Sequence, residues 1–317
     1  MASEAVSRTS LQQALPISGV ASALLIPRSG TGDLHPVVYE RQLHFLLSRG
    51  IQCFAVNGAT GEYTLTTAEE FRCLLRTTRR EIGLGRRLIA GVGGASVEQT
   101  RALCEIALDE GADGCLLPMP YFFPYGQDDL MEYVAAATRG LGVPVYLYNL
   151  PSFTTPLEPA TSLELVERLP AVVGIKDSSG SLETVTLLRN RVPGAACILG
   201  NDGSLYEALA QGVCDGVVSG VSCVLPELML RLYEEASARP NSVTALALKA
   251  TLDEFISWLN KFPVPWGLKI IAEARGLGEA YFPLPLSHEK QAVRAEFVTW
   301  FEVNRAALHA VDDNVSV

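Results

Sequence analysis

The stretch Val172-Val-Gly-Ile-Lys-Asp-Ser-Ser-Gly180 is a short apolar run that turn-forming residues follow at once. Near its end stands Lys176, a charged residue where a buried side chain is expected. Eight apolar runs of this kind recur along the chain, at 19–26, 51–56, 87–92, 114–117, 144–148, 172–175, 196–199 and 216–219. Short, continuous runs rich in Val, Ile and Leu are typical of parallel strands that are buried on both faces.

Longer amphipathic segments separate these runs, with apolar residues spaced three and four positions apart as in helices. They lie at 37–49, 67–82, 96–110, 127–140, 159–168, 181–190, 203–211 and 226–237. Eight strand–helix units predict an α/β fold, a (β/α)₈ barrel over residues 17–237, with an open doubly wound sheet as the alternative. Beyond residue 237 the pattern is helical only, which predicts a C-terminal helical extension over 238–317 that packs on the barrel.

The composition of the chain argues against several classes of partner and binding site. The 317 residues are 48% hydrophobic and carry a formal net charge of −10, which favours a large core and argues against nucleic acid or an anionic membrane as partner. The apolar runs are too short to span a bilayer. Seven scattered cysteines without a CxxC motif predict a reduced, cytoplasmic chain, and four histidines that lie far apart predict no metal site.

In a barrel of this kind, the carboxyl ends of the strands carry the chemistry. Tyr148 and Lys176 end consecutive runs, and neighbouring strands lie ~4.8 Å apart, so both side chains can reach one point. Burial disfavours an ammonium ion, and a neutral amine attacks a carbonyl to form a Schiff base. A phenol beside it can move protons. The alternatives are a lysine solvated at the rim of the barrel and a lysine that forms an ion pair, since Asp177 is adjacent.

A glycine-rich loop, Gly58-Ala-Thr-Gly-Glu62, follows the second run and can present backbone N–H groups to a carboxylate. An amine, a phenol and an anion-binding loop together predict imine chemistry on a 2-oxo acid, with no cofactor besides the lysine itself.

This loop, the segment Tyr148-Asn-Leu-Pro151 and the segment Gly174-Ile-Lys-Asp177 resemble the dihydrodipicolinate synthase / N-acetylneuraminate lyase family of class I, pyruvate-dependent aldolases. The resemblance implies a TIM barrel with a C-terminal helical bundle, and a homo-oligomer, either a tetramer or a dimer. It further implies that Lys176 forms the imine with pyruvate and that Tyr148 donates and accepts protons.

The same resemblance implies that Ala59 and Thr60 bind the pyruvate carboxylate, and that Val218 presents a backbone carbonyl beside the imine. Three positions depart from the family pattern. Phe153 stands where dihydrodipicolinate synthases carry an arginine for the second substrate's carboxylate. Ala59 and Phe122 stand where the family has the two hydroxyl groups of a proton relay to the tyrosine.

Other segments are similar to 2-keto-3-deoxy sugar-acid aldolases, namely 144–149 and 219–227. Asp202 matches a position where N-acetylneuraminate lyases hold substrate hydroxyls. We therefore expect the chain to be closer to sugar-acid aldolases than to true dihydrodipicolinate synthase. The expected activity is a lyase that cleaves or forms a 2-keto-3-deoxy sugar acid, with pyruvate and an aldehyde as its small-molecule partners.

Three alternatives stay open. A dehydratase could use the same imine, and a dihydrodipicolinate synthase-like enzyme could use the same pyruvate. A non-catalytic barrel that binds a 2-oxo acid would explain the missing relay hydroxyls.

Overall fold

Eight parallel strands close into a barrel in the computed structural model, which describes residues 17–309. Each strand pairs with the next along the chain, and the last returns to pair with the first, Val217 lying opposite Val20. The strands are β1 (Gly19–Ala23), β2 (Cys53–Val56), β3 (Arg87–Gly91), β4 (Gly114–Pro118), β5 (Val145–Asn149), β6 (Val172–Asp177), β7 (Ala196–Leu199) and β8 (Gly216–Ser219). The predicted (β/α)₈ barrel is confirmed, and the open sheet is wrong.

One helix follows each strand, and three more helices form the C-terminal extension. The first eight are α1 (Pro36–Ser48), α2 (Ala68–Ile82), α3 (Val97–Asp109), α4 (Gln127–Thr138), α5 (Pro159–Arg168), α6 (Glu183–Arg191), α7 (Leu205–Ala210) and α8 (Pro226–Ala238). The last three are α9 (Val243–Leu259), α10 (Trp266–Ala274) and α11 (His288–His309). Positions 310–317 of the predicted extension lie outside the described residues. Within residues 17–309, no helix has both the length and the apolar character needed to cross a membrane.

The strands β5 and β6 extend further than the apolar pattern predicts. Their polar ends stay in the sheet because the two backbones remain paired, with Tyr148 opposite Lys176 and Asn149 opposite Asp177. The side chain of Asn149 donates to Asp177 Oδ1 at 3.1 Å, so the two strand ends are also joined through their side chains.

The helix α2 begins with a capping box. Thr67 Oγ1 accepts from the amide of Glu70 at 3.1 Å, and the Glu70 carboxylate accepts from the amide of Thr67 at 3.0 Å. This reciprocal pair satisfies two amides that have no partner inside the helix. The predicted helix at 203–211 is instead a 3₁₀ turn at 202–204 followed by α7, a common way for a helix to begin.

The C-terminal extension and the helices around the barrel bury their apolar side chains in one continuous core. Phe255, Phe297 and Phe301 are fully buried and belong to the same continuous cluster as the helices around the barrel. A buried ion pair adds to this contact, since Arg275 binds Glu227 of α8 at 2.9 Å with both side chains only 4% exposed. The extension therefore packs on the barrel, while the division into domains at residues 237 and 238 stays a prediction.

We predict that the backbone of β6 tolerates no side chain at Gly174. A methyl group there would lie 2.1 Å from the carbonyl oxygen of Ala196 in β7, which is far inside contact distance. Gly174→Ala should lower the free energy of unfolding by about 1–3 kcal/mol, because neighbouring strands must separate. Urea denaturation followed by circular dichroism measures the change. The matched control is Gly142→Ala, since Gly142 has no atom within 4 Å of the added methyl; equal stability of the two variants would contradict the prediction.

Candidate active site

A cavity of about 310 Å³ opens at the carboxyl ends of the strands. All six residues that the sequence assigns to the site line it, namely Lys176, Tyr148, Ala59, Thr60, Val218 and Asp202. They reach it from the ends of β2, β5, β6, β7 and β8. Residues up to 159 positions apart thus meet in one place (218 − 59), because parallel strands deliver all their carboxyl ends to the same rim.

The central pair is Lys176 and Tyr148, whose backbones are register partners in β6 and β5. Each residue is only 3% exposed, and Lys176 Nζ lies 4.0 Å from the centre of the Tyr148 ring. The amine therefore lies over the face of the phenol ring, within reach of the tyrosine. The amine is held in the buried part of the cavity, and the alternative of a solvated lysine at the rim is wrong.

The end of β7 makes room for this amine. A methyl group on Gly200 would lie 2.7 Å from Lys176 Cε and 2.0 Å from Ser178 Oγ, so only glycine fits beside both. The Ser178 hydroxyl is buried without a hydrogen-bond partner among the described residues, and it lines the same cavity. A hydroxyl without a partner close to the amine can bind a polar group of a substrate.

The loop from Asn57 to Glu62 contributes Ala59 and Thr60 to the lining of the cavity. Asn57 and Glu62 both adopt positive φ angles, 64° and 52°, and enclose the two glycines between them. The amides of Gly61 and Glu62 donate back into the loop, to the carbonyls of Gly58 and Ala59. In residues 17–309, the amides of Ala59 and Thr60 donate to no protein acceptor, which leaves them available for an anion.

Asp202 brings the one carboxylate into the cavity. Its Oδ2 accepts from the amide of Val221 at 3.0 Å, and its Oδ1 is buried without a hydrogen-bond partner among the described residues. Burial raises the pKa of Asp202, and the Ser219 hydroxyl, the Val221 amide and the charge of Lys176 oppose that shift only in part. A carboxylate held in this way can receive a hydroxyl group from a ligand.

Charge in the cavity is otherwise sparse. Among residues 17–309, Lys176 and Asp202 are the only charged residues that line it. The polar remainder consists of Thr60, Tyr148, Ser152, Ser178, Asn201 and Asn260. Phe153 lines the cavity at the position of the missing arginine and is 49% exposed. Within residues 17–309, no group of three His, Cys, Asp or Glu residues is arranged to hold a metal ion.

A second cavity, of about 420 Å³, adjoins the first and shares Ala59, Phe153 and Val264 with it. Phe122 lines only this second cavity, is 86% exposed and has a positive φ of 84°. Ala59 and Phe122, the two positions at which the resemblance implies relay hydroxyls, carry none. A phenol that the sequence analysis missed lies close by, because Tyr63 is buried in one cluster with Ala59 and Tyr148.

Burial raises the pKa of Tyr63, and the neighbouring Tyr148 contributes further to the same shift. The Tyr63 ring meets Tyr121 edge-to-face, with 5.9 Å between the ring centres. Tyr63 directly follows the Gly58–Glu62 loop, and this adjacency is the signal in the sequence that places it near the site.

The C-terminal extension supplies part of the cavity lining, which the sequence did not predict. Ile256, Leu259 and Asn260 reach the cavity from the end of α9, and Val264 and Leu268 from the following segment and α10. Five lining residues therefore come from beyond residue 237. The break between the two helices, with Pro263 and Pro265, is the only signal of this, and it indicates a turn rather than a site.

Comparison with known proteins agrees with this architecture. The profile of the Dihydrodipicolinate synthetase family matches residues 16–302. A 4-hydroxy-tetrahydrodipicolinate synthase of Stenotrophomonas maltophilia is 32% identical over 288 residues, covering 88% of this chain and 95% of the relative. One of Salinibacter ruber is 30% identical over 295 residues, covering 90% and 95%.

Solved structures give the same result. The 4-hydroxy-tetrahydrodipicolinate synthase of Methylacidiphilum fumariolicum superposes with a TM-score of 0.85 and 26% identity, covering 93% of this chain and 99% of that one. The dihydrodipicolinate synthase of Acinetobacter baumannii, solved in complex with pyruvate, gives a TM-score of 0.83 and 25% identity, with 93% and 99% covered.

The names of these relatives do not support the expected closer similarity to sugar-acid aldolases. They do agree on the type of enzyme, a lyase of the class I aldolase mechanism, in which a lysine amine binds the substrate covalently and no external cofactor is used. On the match over residues 16–302, the chain belongs to the dihydrodipicolinate synthetase family.

Proposed function

We propose that this lyase joins pyruvate to an uncharged hydroxylated aldehyde, or cleaves the joined compound into these two, through an imine on Lys176. The cleavage of a 2-keto-3-deoxy sugar acid is such a reaction. The observation that carries the proposal is the charge of the cavity. The part of the chain that the structure describes lines it with one buried amine, one carboxylate whose Oδ1 has no hydrogen-bond partner there, and otherwise only neutral side chains. A relative from Acinetobacter baumannii was solved with pyruvate, which supports the first half of the substrate.

The chemical steps follow from the placement of these groups. The free amides of Ala59 and Thr60 hold the substrate carboxylate, which brings the 2-oxo carbon towards Lys176 Nζ. The amine attacks that carbon, and Tyr148 protonates the departing oxygen, which leaves as water and gives the imine. Tyr148, now a phenolate, takes the proton of the substrate hydroxyl, whose oxygen becomes the aldehyde carbonyl as the carbon–carbon bond breaks. The electron pair of that bond passes to the imine, which becomes an enamine, and the aldehyde departs. Tyr148 returns the proton to the enamine carbon, and water hydrolyses the imine to free pyruvate and the lysine amine.

Asp202 supports the aldehyde half of the proposal. Its free Oδ1 can accept a hydrogen bond from a substrate hydroxyl, and Ser178, Asn201 and Asn260 offer further polar contacts in the same cavity. A carboxylate on the aldehyde would meet Asp202 without a cationic partner, which costs binding energy. A neutral, hydroxylated aldehyde satisfies these groups better.

A second candidate follows from the relatives, whose name is 4-hydroxy-tetrahydrodipicolinate synthase. A dipicolinate carries two carboxylates, and pyruvate supplies one, so the aldehyde of such a synthase must supply the other. Phe153 offers no partner to that second carboxylate in this chain. A dehydratase that uses the same imine would be recognised by loss of water from a 2-keto-3-deoxy acid without release of pyruvate.

Assembly and location complete the proposal. Phe122, Phe123 and Phe153 are 86%, 61% and 49% exposed beside the second cavity, and an apolar surface of this size supports a homo-oligomer, either a dimer or a tetramer. All seven cysteines are unpaired, which supports a reduced, cytoplasmic setting.

We predict that pyruvate followed by borohydride adds the mass of one reduced pyruvate to the protein, because reduction makes the imine permanent. Lys176→Ala should abolish the adduct, which intact mass spectrometry measures directly. The matched control is Lys290→Ala, since Lys290 is a half-buried lysine that does not line the cavity. An adduct that persists in Lys176→Ala would overturn the assignment of the amine.

Asp202→Asn should separate stability from activity. Since burial raises the pKa of Asp202, the folded state resists ionisation, and the penalty is present above the ordinary carboxyl pKa of about 3.9. The variant should therefore unfold at a higher temperature at pH 7, and this gain should disappear at pH 3, where both side chains are neutral. Calorimetry at the two pH values measures the difference.

The same variant should lose about 10- to 100-fold in kcat/KM for a hydroxylated aldehyde, because a hydrogen bond to a charged group is worth about 1.5–3 kcal/mol. The pyruvate adduct should still form, since the amine is unchanged. Unchanged kcat/KM across a panel of 2-keto-3-deoxy acids would show that Asp202 does not contact the substrate.

Phe153→Arg should shift preference towards an aldehyde that carries a carboxylate, such as aspartate semialdehyde. A bidentate arginine–carboxylate contact would replace an aromatic ring, and we expect a gain of about tenfold or more in kcat/KM for that aldehyde. Phe153→Leu is the control, because it removes the ring without adding charge. If the unmodified protein already prefers aspartate semialdehyde over neutral aldehydes, the second candidate replaces the first.

A further inference from the structure

A buried ion pair joins the C-terminal extension to the Asn57–Glu62 loop. Lys269 of α10 binds Glu62 Oε2 at 2.5 Å, and the same ammonium donates to the backbone carbonyl of Tyr281 at 2.8 Å. The side chains of Lys269 and Glu62 are 6% and 11% exposed. Charges so deeply buried are costly to retain unless each is paired, so neither can leave the contact freely.

Glu62 occupies a demanding position in the loop. It is the last residue of the Asn57–Glu62 loop, and its φ of 52° and ψ of 50° place it in the left-handed region. That conformation costs roughly 1–2 kcal/mol for a residue other than glycine and persists only where contacts enforce it. The pair with Lys269 is a contact that can enforce it.

The position of Glu62 is transmitted to the anion-binding amides. The Glu62 amide donates to the carbonyl of Ala59 at 2.9 Å, and the Gly61 amide donates to the carbonyl of Gly58 at 3.0 Å. The peptide between Ala59 and Thr60 is therefore fixed on one side by a bond from the residue that Lys269 holds. Displacing Glu62 would break its hydrogen bond to Ala59 and shift the peptide group to which the Thr60 amide belongs.

The same helix also reaches the cavity directly. Leu268, the neighbour of Lys269, lines it. A methyl group on Gly220 would be 3.3 Å from both Leu268 Cδ1 and Thr60 Oγ1, so both side chains lie beside the Gly220 backbone. α10 thus holds the loop through its ion pair and lines the cavity through its leucine.

The other nearby cation is already engaged. Arg28 binds Glu70 at 2.7 Å and also donates to the carbonyls of Gly32 and Leu65. Burial lowers the pKa of Lys269, the Glu62 carboxylate opposes that shift, and the charge of Arg28 adds to it. Lys269 is therefore the group that neutralises Glu62 directly.

We propose that Lys269 is a positioning residue for the 2-oxo acid, which acts through Glu62 to aim the Ala59 and Thr60 amides at the substrate carboxylate. The affinity of the barrel for its first substrate then depends on the C-terminal extension. This inference rests on the proposed role of the loop in binding pyruvate.

The experiment compares the purified full-length protein with Lys269→Met, using the rate of pyruvate trapping by borohydride at increasing pyruvate concentration. We expect the half-saturating pyruvate concentration to rise about tenfold, within the range measured for coupled neighbours, while the limiting rate changes less than about threefold. The limiting rate should hold because Lys176 and Tyr148 are not displaced. The control is Lys249→Met, which breaks a surface pair with Asp253 of 2.6 Å outside the cavity.

A second variant separates positioning from mere stability. Lys269→Met alone leaves Glu62 buried without a partner and should lower the melting temperature, whereas the double variant Glu62→Gln with Lys269→Met removes both charges. We expect the double variant to recover most of the melting temperature while the half-saturating pyruvate concentration stays raised. If Lys269→Met folds too poorly to assay, the double variant alone decides the question.

Two results would overturn the proposal. One is an unchanged half-saturating concentration in Lys269→Met or in the double variant, with the unmodified protein forming the adduct normally. The other is a half-saturating concentration that returns to normal together with the melting temperature in the double variant. If the unmodified protein forms no adduct at all, the proposed function fails as well, so the two failures are distinguishable.

Discussion

The pairing of β5 with β6 is the constraint on which the site depends. It places Tyr148 opposite Lys176, and the hydrogen bond from Asn149 to Asp177 holds the two strand ends together one residue further on. Asp177 Oδ1 also accepts from the amide of Ser179 at 2.8 Å, which turns the chain away from the strand immediately after the amine. A slip of β6 by one residue would point Lys176 into the helical layer and away from Tyr148, because side chains alternate between the two faces of a strand.

Two glycines, one in β6 and one at the end of β7, leave the space that this pair needs. Gly174 lets β6 approach β7 closely, and Gly200 leaves space beside the lysine stem and Ser178. The amine then lies over the tyrosine ring in a cavity where, among residues 17–309, Asp202 is the only other charged residue in the lining.

Much of this could be read from the sequence, for a physical reason. Strands buried on both faces need continuous apolar runs, and eight such runs with intervening amphipathic segments leave few possible folds. The ends of the runs give the strand ends, so Lys176, Tyr148 and the loop at 58–62 could be placed on one rim before any distance was known. The limits of β5 and β6 were missed because their last residues are polar and stay in the sheet through backbone pairing alone.

Contacts that bring distant segments together leave no comparable signal. Glu62 and Lys269 are 207 residues apart, and neither belongs to a motif that indicates the other. Asn260 and Leu268 reach the cavity only because α9 and α10 pack back across the barrel, which depends on the whole core rather than on local pattern. The contribution of the extension to the site is therefore a property of the tertiary structure that hydrophobic periodicity cannot express.

The proposed division of labour in the cavity explains how close relatives could share a fold and differ in product. Imine chemistry engages only the pyruvate half of the substrate, which Lys176, Tyr148 and the Ala59–Thr60 amides would hold. The aldehyde half meets other groups, Phe153 and Asp202 among them, and these can change without disturbing the amine. Membership of the family therefore constrains the first half strongly and the second half weakly, and the charge that faces the aldehyde becomes the feature that decides the substrate.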